Sequence, residues 1–330
     1  MQSLDNNYTH VINPKLSIID QKRTGKCWIF ASLDILRRDL VMRYKLPKDF
    51  ELSDTYITFY EKFDKCNYVM DYMIKNDKTK FSDKVFYKVD DGGSWCDFVK
   101  LIKKYGIIPK SCFGKSINCK NTTNLNTLLL TKVRECCYIL VNEPIIERRY
   151  SLKHMMMKDI FMILAKMLGM PPGINDKIVW SYTIRDEDEK SNKRKPSSLK
   201  KEMVITPLSF YNNIIKCDLD DYLVVANDPR NDYNKCYCSY DKEEYYFNMQ
   251  IEEIIKYCEK SIIGNCSIIF GCDMSKYLHI NREVMDEKCF DYDLLFGMDF
   301  NVFSKKDLMQ MHGSYSNHLM VIVGIDIQKN

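Results

Sequence analysis

The fold is decided by the stretch Gln21-Lys-Arg-Thr-Gly-Lys-Cys27-Trp-Ile-Phe-Ala-Ser32, which lies near the start of a 330-residue chain. After the turn signal Thr24-Gly25, apolar residues recur at steps of four, three and four, which predicts an amphipathic helix running to about Tyr44. Cys27 therefore lies in the first turn of this helix. The apolar stripe consists of Ile29, Leu33, Leu36 and Leu40. Three charged residues lie off the stripe and are expected to be solvated: Arg37, Arg38 and Asp39.

The position of Cys27 favours a nucleophilic thiol. Unpaired backbone N–H groups in a first turn favour an anion, which lowers a thiol pKa. Gln21 lies on the incoming loop, where its amide can point at the same place and hold an oxyanion. The alternative is that Cys27 is one of many buried structural thiols, since the chain has fourteen cysteines. The spacing of Gln21, Cys27 and Trp28 at a helix start favours the nucleophile.

A base for this thiol is indicated near the other end of the chain. His318, one of only five histidines, directly precedes Leu319-Met-Val-Ile-Val323, a run that predicts a buried strand. A histidine at the mouth of a core strand is often a core residue with its hydrogen bonds satisfied, and that alternative stays open for His318 taken alone. Taken together with the Cys27 helix, it supplies the base that a thiolate needs. The two segments predict a thiol hydrolase.

These residues resemble the papain-like cysteine peptidases, and specifically the bleomycin hydrolase family. The resemblance runs in order along nearly the whole chain from about residue 14. The further segments that carry it are Phe50–Tyr56, Asp91–Trp95, Leu101–Pro109, Leu168–Pro172, Thr206–Tyr211, Asn227–Arg230, Phe270–Asp273 and Tyr292–Gly297.

The resemblance implies an α+β fold of papain type, formed as one peptidase unit. Its parts are expected to be a mainly helical half at 1–110 with Cys27, a helical insertion at 111–200 with helices Leu128–Val141 and Met155–Leu168, and a β half at 201–330 with His318. It also implies hydrolysis of peptide or amide bonds through a Cys27 thioester. In that family the backbone beside the pair Gly92 and Gly93 lies along the substrate, whereas a simple turn is the alternative interpretation.

The sequence departs from the family at several positions. Asp20, Thr24 and Lys26 stand where the family usually has Asn, Ser and Arg, and Leu319 replaces Ala after the histidine. The family's next strand carries an Asn that orients the histidine, and its C-terminus enters the cleft and limits cutting to aminopeptidase-like action. The sequence ends at Asn330, a poor substitute, so the fold is expected to lack the C-terminal strands. We expect weakened catalysis or, alternatively, an inactive relative that acts as a binding or scaffold protein.

The overall charge is close to balance, with 49 basic and 45 acidic residues, and argues neither for nor against nucleic acid. The charged run Arg185–Glu202 is expected to be a solvated surface loop. It favours a nucleic-acid-associated protein only weakly, because it lacks interleaved aromatic residues. The resemblance implies peptide substrates as partners, and in the family inserted elements like those at 111–200 build a homo-hexameric ring.

The remaining features argue against a membrane, a metal or a cofactor. No N-terminal signal-like run and no apolar stretch of ~18 residues is present, so no membrane span is expected. Fourteen cysteines without a secretion signal indicate reduced thiols in the cytoplasm. Cys136-Cys137 and Cys236-x-Cys238 lack the cysteine and histidine spacings of zinc sites.

Overall fold

The computed structural model describes residues 8–76, 83–114, 116–185, 198–238, 244–287, 289–300 and 302–327. Asn330 and the middle of the charged run, residues 186–197, lie outside these ranges. The chain divides into two compact units. We call Leu16–Cys217 the helical unit, and Met1–Lys15 together with Asp218–Asn330 the strand unit. The three-part division expected from the sequence stays a prediction.

The helices of the described residues are α1 (Cys27–Tyr44), α2 (Asp54–Lys75), α3 (Asp83–Phe86), α4 (Trp95–Tyr105), α5 (Thr123–Asn142), α6 (Ile146–Leu168), α7 (Pro207–Ser209), α8 (Ile251–Ile263), α9 (Tyr292–Phe296) and α10 (Lys305–Gln310). The 3-10 turns are Tyr87–Val89, Leu219–Asp221 and Ile280–Arg282, and a π turn spans Phe210–Ile215. No helix in the described ranges is long and apolar enough to cross a membrane.

The strands are β1 (His10–Val11), β2 (Ile178–Arg185), β3 (Ser198–Ile205), β4 (Val225–Ala226), β5 (Lys235–Cys238), β6 (Tyr245–Asn248), β7 (Ile268–Cys272), β8 (Leu278–His279), β9 (Val284–Met285), β10 (His318–Ile322) and β11 (Gly324–Ile325). In the helical unit β2 pairs with β3. In the strand unit β1 pairs with β11, β7 with β10, and β8 with β9, while β6 lies between β4 and β5.

The core of the helical unit lies among its long helices. The predicted α1 is confirmed at Cys27–Tyr44. Apolar side chains at helical spacing are fully or almost fully buried on α1, α2, α5 and α6, because each helix turns an apolar face toward its neighbours. Examples are Leu33, Leu36, Leu40, Phe59, Val69, Met70, Leu129, Val133, Leu140, Ile160 and Leu164. This packing fixes the start of α1, where the candidate nucleophile lies.

The expectation that Arg37 and Arg38 are solvated is wrong, since both are buried. Arg37 forms an ion pair with Asp34 at 2.7 Å and donates to the carbonyl oxygens of Ser17 and Phe50. Arg38 lies 3.3 Å from the same carboxylate. Neighbouring parts of the chain thus supply the acceptors that a buried guanidinium requires.

The helical insertion and the charged run also differ from expectation. Helices α5 and α6 begin earlier than predicted, at Thr123 and Ile146, because the polar first turns hide their helical spacing. The expected surface loop at Arg185–Glu202 is wrong at both ends. Residues 178–185 and 198–205 pair there as an antiparallel hairpin.

Strand β10 confirms the strand predicted at Leu319–Val323, although it begins at His318 and ends at Ile322. It pairs antiparallel with β7, and His318 lies opposite Cys272. Its five residues are half-buried rather than buried. A two-stranded sheet explains this, because it shields each strand on fewer sides than a large sheet does.

Candidate active site

Cys27 is the first residue of α1 and is buried, with 9% of its surface exposed. The preceding residue, Lys26, is the N-cap and makes no side-chain capping bond. Its carbonyl oxygen accepts from the N–H groups of Ile29 and Phe30, which closes the first turn. The first N–H groups of a helix have no partner within it and can stabilise an anion. Cys27 is the first residue of the turn that carries these N–H groups.

Gln21 belongs to the short loop that leads to this helix. Its Nε2 donates to the carbonyl oxygen of Thr24 at 2.8 Å, and the Thr24 hydroxyl donates back to the carbonyl oxygen of Gln21 at 2.7 Å. These two bonds fix the loop. A side-chain amide has two N–H groups, so one remains after the bond to Thr24 and can donate to an oxyanion.

Gly92 and Gly93 lie next to the nucleophile segment. Gly92 has a φ of +104°, which favours glycine. Gly93 is exposed, yet a Cβ at this position would lie 2.7 Å from ring carbons of Trp28, the residue after Cys27. The structure therefore brings the glycine pair to the nucleophile helix and leaves one side of the backbone open. That open side is what a substrate chain requires.

His318 opens β10 in the strand unit and is half-buried. Partial burial lowers the pKa of His318 below its ordinary value of 6.5. The residue before it is firmly held: the Asn317 side chain donates to Asp273 at 2.6 Å and to Ser275 at 2.8 Å, and accepts from the Met274 N–H at 3.0 Å. The backbone that carries the imidazole is thereby fixed.

A buried charge cluster lies next to Cys27, and no sequence pattern predicted it. Lys26 is 2% exposed and donates to Asp54 at 2.9 Å and to the Cys119 carbonyl oxygen at 2.8 Å. Burial opposes ionisation of Asp54, but the Lys26 ammonium holds the pKa of this carboxyl below its ordinary value. Burial raises the pKa of the Cys119 thiol, so Cys119 is a structural thiol here. The cluster anchors the N-cap of α1 to the start of α2.

The described ranges contain no group of three or more His, Cys, Asp or Glu side chains that could hold a metal ion. All fourteen cysteines lie in these ranges, and none is joined in a disulfide.

The positions of Cys27, Gln21 and the glycine pair within the helical unit agree with the papain-like cysteine peptidase class expected from the sequence. The model of the Peptidase C1-like family matches residues 1–330, and the chain belongs to that family. Its class and its α+β fold, expected from the sequence, are thereby confirmed.

Individual relatives agree with this assignment. The chain is 28% identical to bleomycin hydrolase of Homo sapiens over 330 residues, a match that covers 93% of the chain and 70% of that protein. It is 31% identical to aminopeptidase C of Lactobacillus delbrueckii subsp. lactis, with 94% and 70% covered. The crystal structure of PepW from Lactobacillus rhamnosis HN001 superposes with a TM-score of 0.86 at 26% identity, covering 99% of this chain and 74% of that one.

The contact between Gly93 and Trp28 leads to a testable expectation. Gly93→Ala places a methyl group 2.7 Å from a buried indole that cannot withdraw, so the backbone must move away from α1. A displacement of ~1 Å at a reacting centre costs up to about 10²-fold in rate, and we expect kcat/KM for a peptide substrate to fall by about 10- to 100-fold. Gly173→Ala is the matched control, because its methyl meets only the Asp176 side chain. Equal activity of the two variants would contradict this role for Gly93.

Proposed function

We propose that this peptidase hydrolyses peptide and amide bonds through a thioester on Cys27, with His318 as the base and Gln21 as an oxyanion donor. The observation that supports it best is the way Cys27 is held. Cys27 is the first residue of α1. Lys26 before it donates to Asp54, and Trp28 after it is buried with Gly93 close to its ring. A nucleophile held in this way loses little entropy on reaching its reacting geometry.

The proposed reaction has two stages. The Cys27 thiolate attacks the carbonyl carbon, and the oxyanion that forms accepts from the Cys27 backbone N–H and from the remaining N–H of the Gln21 amide. His318, protonated after taking the thiol proton, gives that proton to the leaving amine as the C–N bond breaks. The neutral imidazole then takes a proton from water, whose oxygen attacks the thioester and releases the acid and the thiol. The substrate backbone runs beside Gly92 and Gly93.

We further propose that the substrates carry a free α-amino group, as the name of aminopeptidase C indicates for that relative. A homo-hexamer in the cytoplasm is the assembly and location that fit the resemblance. Unbridged cysteines support the location, because such thiols persist in a reducing compartment.

Two fluorogenic substrates and one electrophile test the proposed function. The first substrate is an aminoacyl coumarin amide with a free amino group, and the second is a peptidyl coumarin amide whose N-terminal amino group is blocked. The electrophile is a peptidyl epoxide that alkylates activated thiols. We expect turnover of the first substrate above the second and stoichiometric labelling by the epoxide. Turnover of both at equal rates would contradict the aminopeptidase assignment. If the folded protein shows neither turnover nor labelling, a binding or scaffold role is favoured instead.

A further inference from the structure

A buried ion pair lies between the nucleophile segment and the glycine pair. The carboxylate of Asp91 receives the Gly25 N–H at 2.8 Å, the Thr122 hydroxyl at 2.5 Å, the Lys62 ammonium at 2.8 Å and the Asn126 amide at 3.1 Å. The side chain of Lys62 is fully buried and that of Asp91 is 11% exposed. Four donors from three parts of the chain thus converge on one carboxylate.

The charges of this pair are mutually dependent. Burial alone would raise the pKa of Asp91, but the Lys62 ammonium, the Thr122 hydroxyl and the Gly25 N–H together hold it well below its usual range. Lys62 also donates to the Val89 carbonyl oxygen at 3.1 Å. Removing one partner of such a pair leaves an uncompensated buried charge, so both residues are needed for the arrangement to persist.

The position of Asp91 in the chain connects it to both segments. Gly25 lies two residues before Cys27, and a Cβ on Gly25 would lie 2.7 Å from the Asp91 Cβ, so glycine alone permits this approach. Asp91 also directly precedes Gly92. Lys65 donates to the carbonyl oxygens of Asp90 and Gly92, at 2.8 Å and 2.6 Å, and so holds the backbone on either side of Asp91.

We propose that Asp91, paired with Lys62 and supported by Lys65, is a positioning residue that aligns the nucleophile segment Gly25–Cys27 with the substrate segment Gly92–Gly93. The inference rests on the proposed function, since it gives the alignment of two segments of that site. Asp91 does not touch the reacting atoms. It acts through the Gly25 N–H on one side and through its own backbone on the other.

Two electrophiles separate alignment from general damage. Iodoacetamide needs only a reactive Cys27, whereas a peptidyl epoxide must also lie along the glycine pair. For Asp91→Asn, which keeps the shape and removes the charge, we expect the ratio of the epoxide rate constant to the iodoacetamide rate constant to fall at least about 10-fold, because alignment errors of ~1 Å carry such costs. A purely structural role would lower both rate constants equally. Asp64→Asn is the control, because that carboxylate pairs with Lys104 outside the network.

A second variant keeps the proposal testable if Asp91→Asn does not fold. Lys65 lies at the edge of the network, with 22% of its side chain exposed, and its ammonium donates to the Gly92 carbonyl oxygen. Lys65→Met removes this ammonium and should lower the same ratio of rate constants. An unchanged ratio in whichever variant folds would overturn the proposal, while reaction of the wild type with the epoxide would leave the proposed function intact. A wild type that the epoxide does not label would overturn both.

Discussion

Cys27→Ala is expected to lower hydrolysis of an aminoacyl coumarin amide by about 10⁴-fold or more, because no thioester can form without the sulfur. Residual turnover would come from oxyanion donors and substrate binding alone. Labelling by a peptidyl epoxide should vanish with the thiol. The thermal midpoint should change little, since the side chain is short and begins a helix held by its neighbours. Initial rates and the intact mass after labelling measure both effects.

Cys96→Ala is the matched control for this experiment. Cys96 is the second residue of α4 and is half-buried, so it also lies in the first turn of a helix in the helical unit. Six residues before Cys96 the chain has Asp90 rather than a glutamine. We expect full activity and full labelling. Loss of labelling in this variant, with retention in Cys27→Ala, would reassign the nucleophile.

His318→Ala is expected to lower turnover by about 10²- to 10⁴-fold, the range that general acid–base catalysis contributes. It should also change the pH dependence of Cys27 alkylation. In the wild type the proposed thiolate–imidazolium pair should make alkylation fast well below an ordinary thiol pKa. Without the imidazole, alkylation should rise only as pH approaches about 8.5, where an ordinary cysteine ionises. Iodoacetamide rate constants between pH 5 and pH 9 measure the shift.

The direction of the His318 titration can be tested separately. Partial burial lowers the pKa of this imidazole, so in Cys27→Ala, which has no thiolate at position 27, His318 should be neutral at pH 7 and take up its proton only below pH 6.5. If the proposed pairing forms, the Cys27 thiolate of the wild type should oppose this lowering of the His318 pKa. His279→Ala, a half-buried histidine of the same unit, is the control and should leave alkylation unchanged. Identical pH profiles for wild type and His318→Ala would rule out the pairing.

The sequence predicts the nucleophile helix well because its signals are local. The apolar spacing after Cys27 and the turn at Gly25 suffice for α1, and a run of branched residues suffices for β10. Arg37 could not be predicted in the same way. Its burial depends on acceptors at Ser17 and Phe50, which the fold brings near but which no spacing within the helix reveals.

The candidate site divides along the same line. Motif spacing alone selects Cys27 and the glycine pair as candidates, and the structure brings Gly93 against the residue after the thiol. No sequence motif marks Lys26 and Asp91 as the residues that anchor these two segments. The available signal was a charged residue directly beside the candidate nucleophile or the glycine pair. Nothing in the local sequence requires an exposed charge at either position. The role of that charge depended on partners 28 to 93 positions away in the chain.

The anchors of the Cys27 loop that lie far along the chain determine when during synthesis the candidate active site can form. The ribosome releases Cys27 long before Asp91 and Cys119, which lie 66 residues beyond Gly25 and 93 beyond Lys26. Until those residues emerge and dock, the loop lacks two of its anchors, although Asp54 can already pair with Lys26. We expect an unfinished chain not to cleave other proteins, because the proposed active site is assembled only after much of the helical unit has been made.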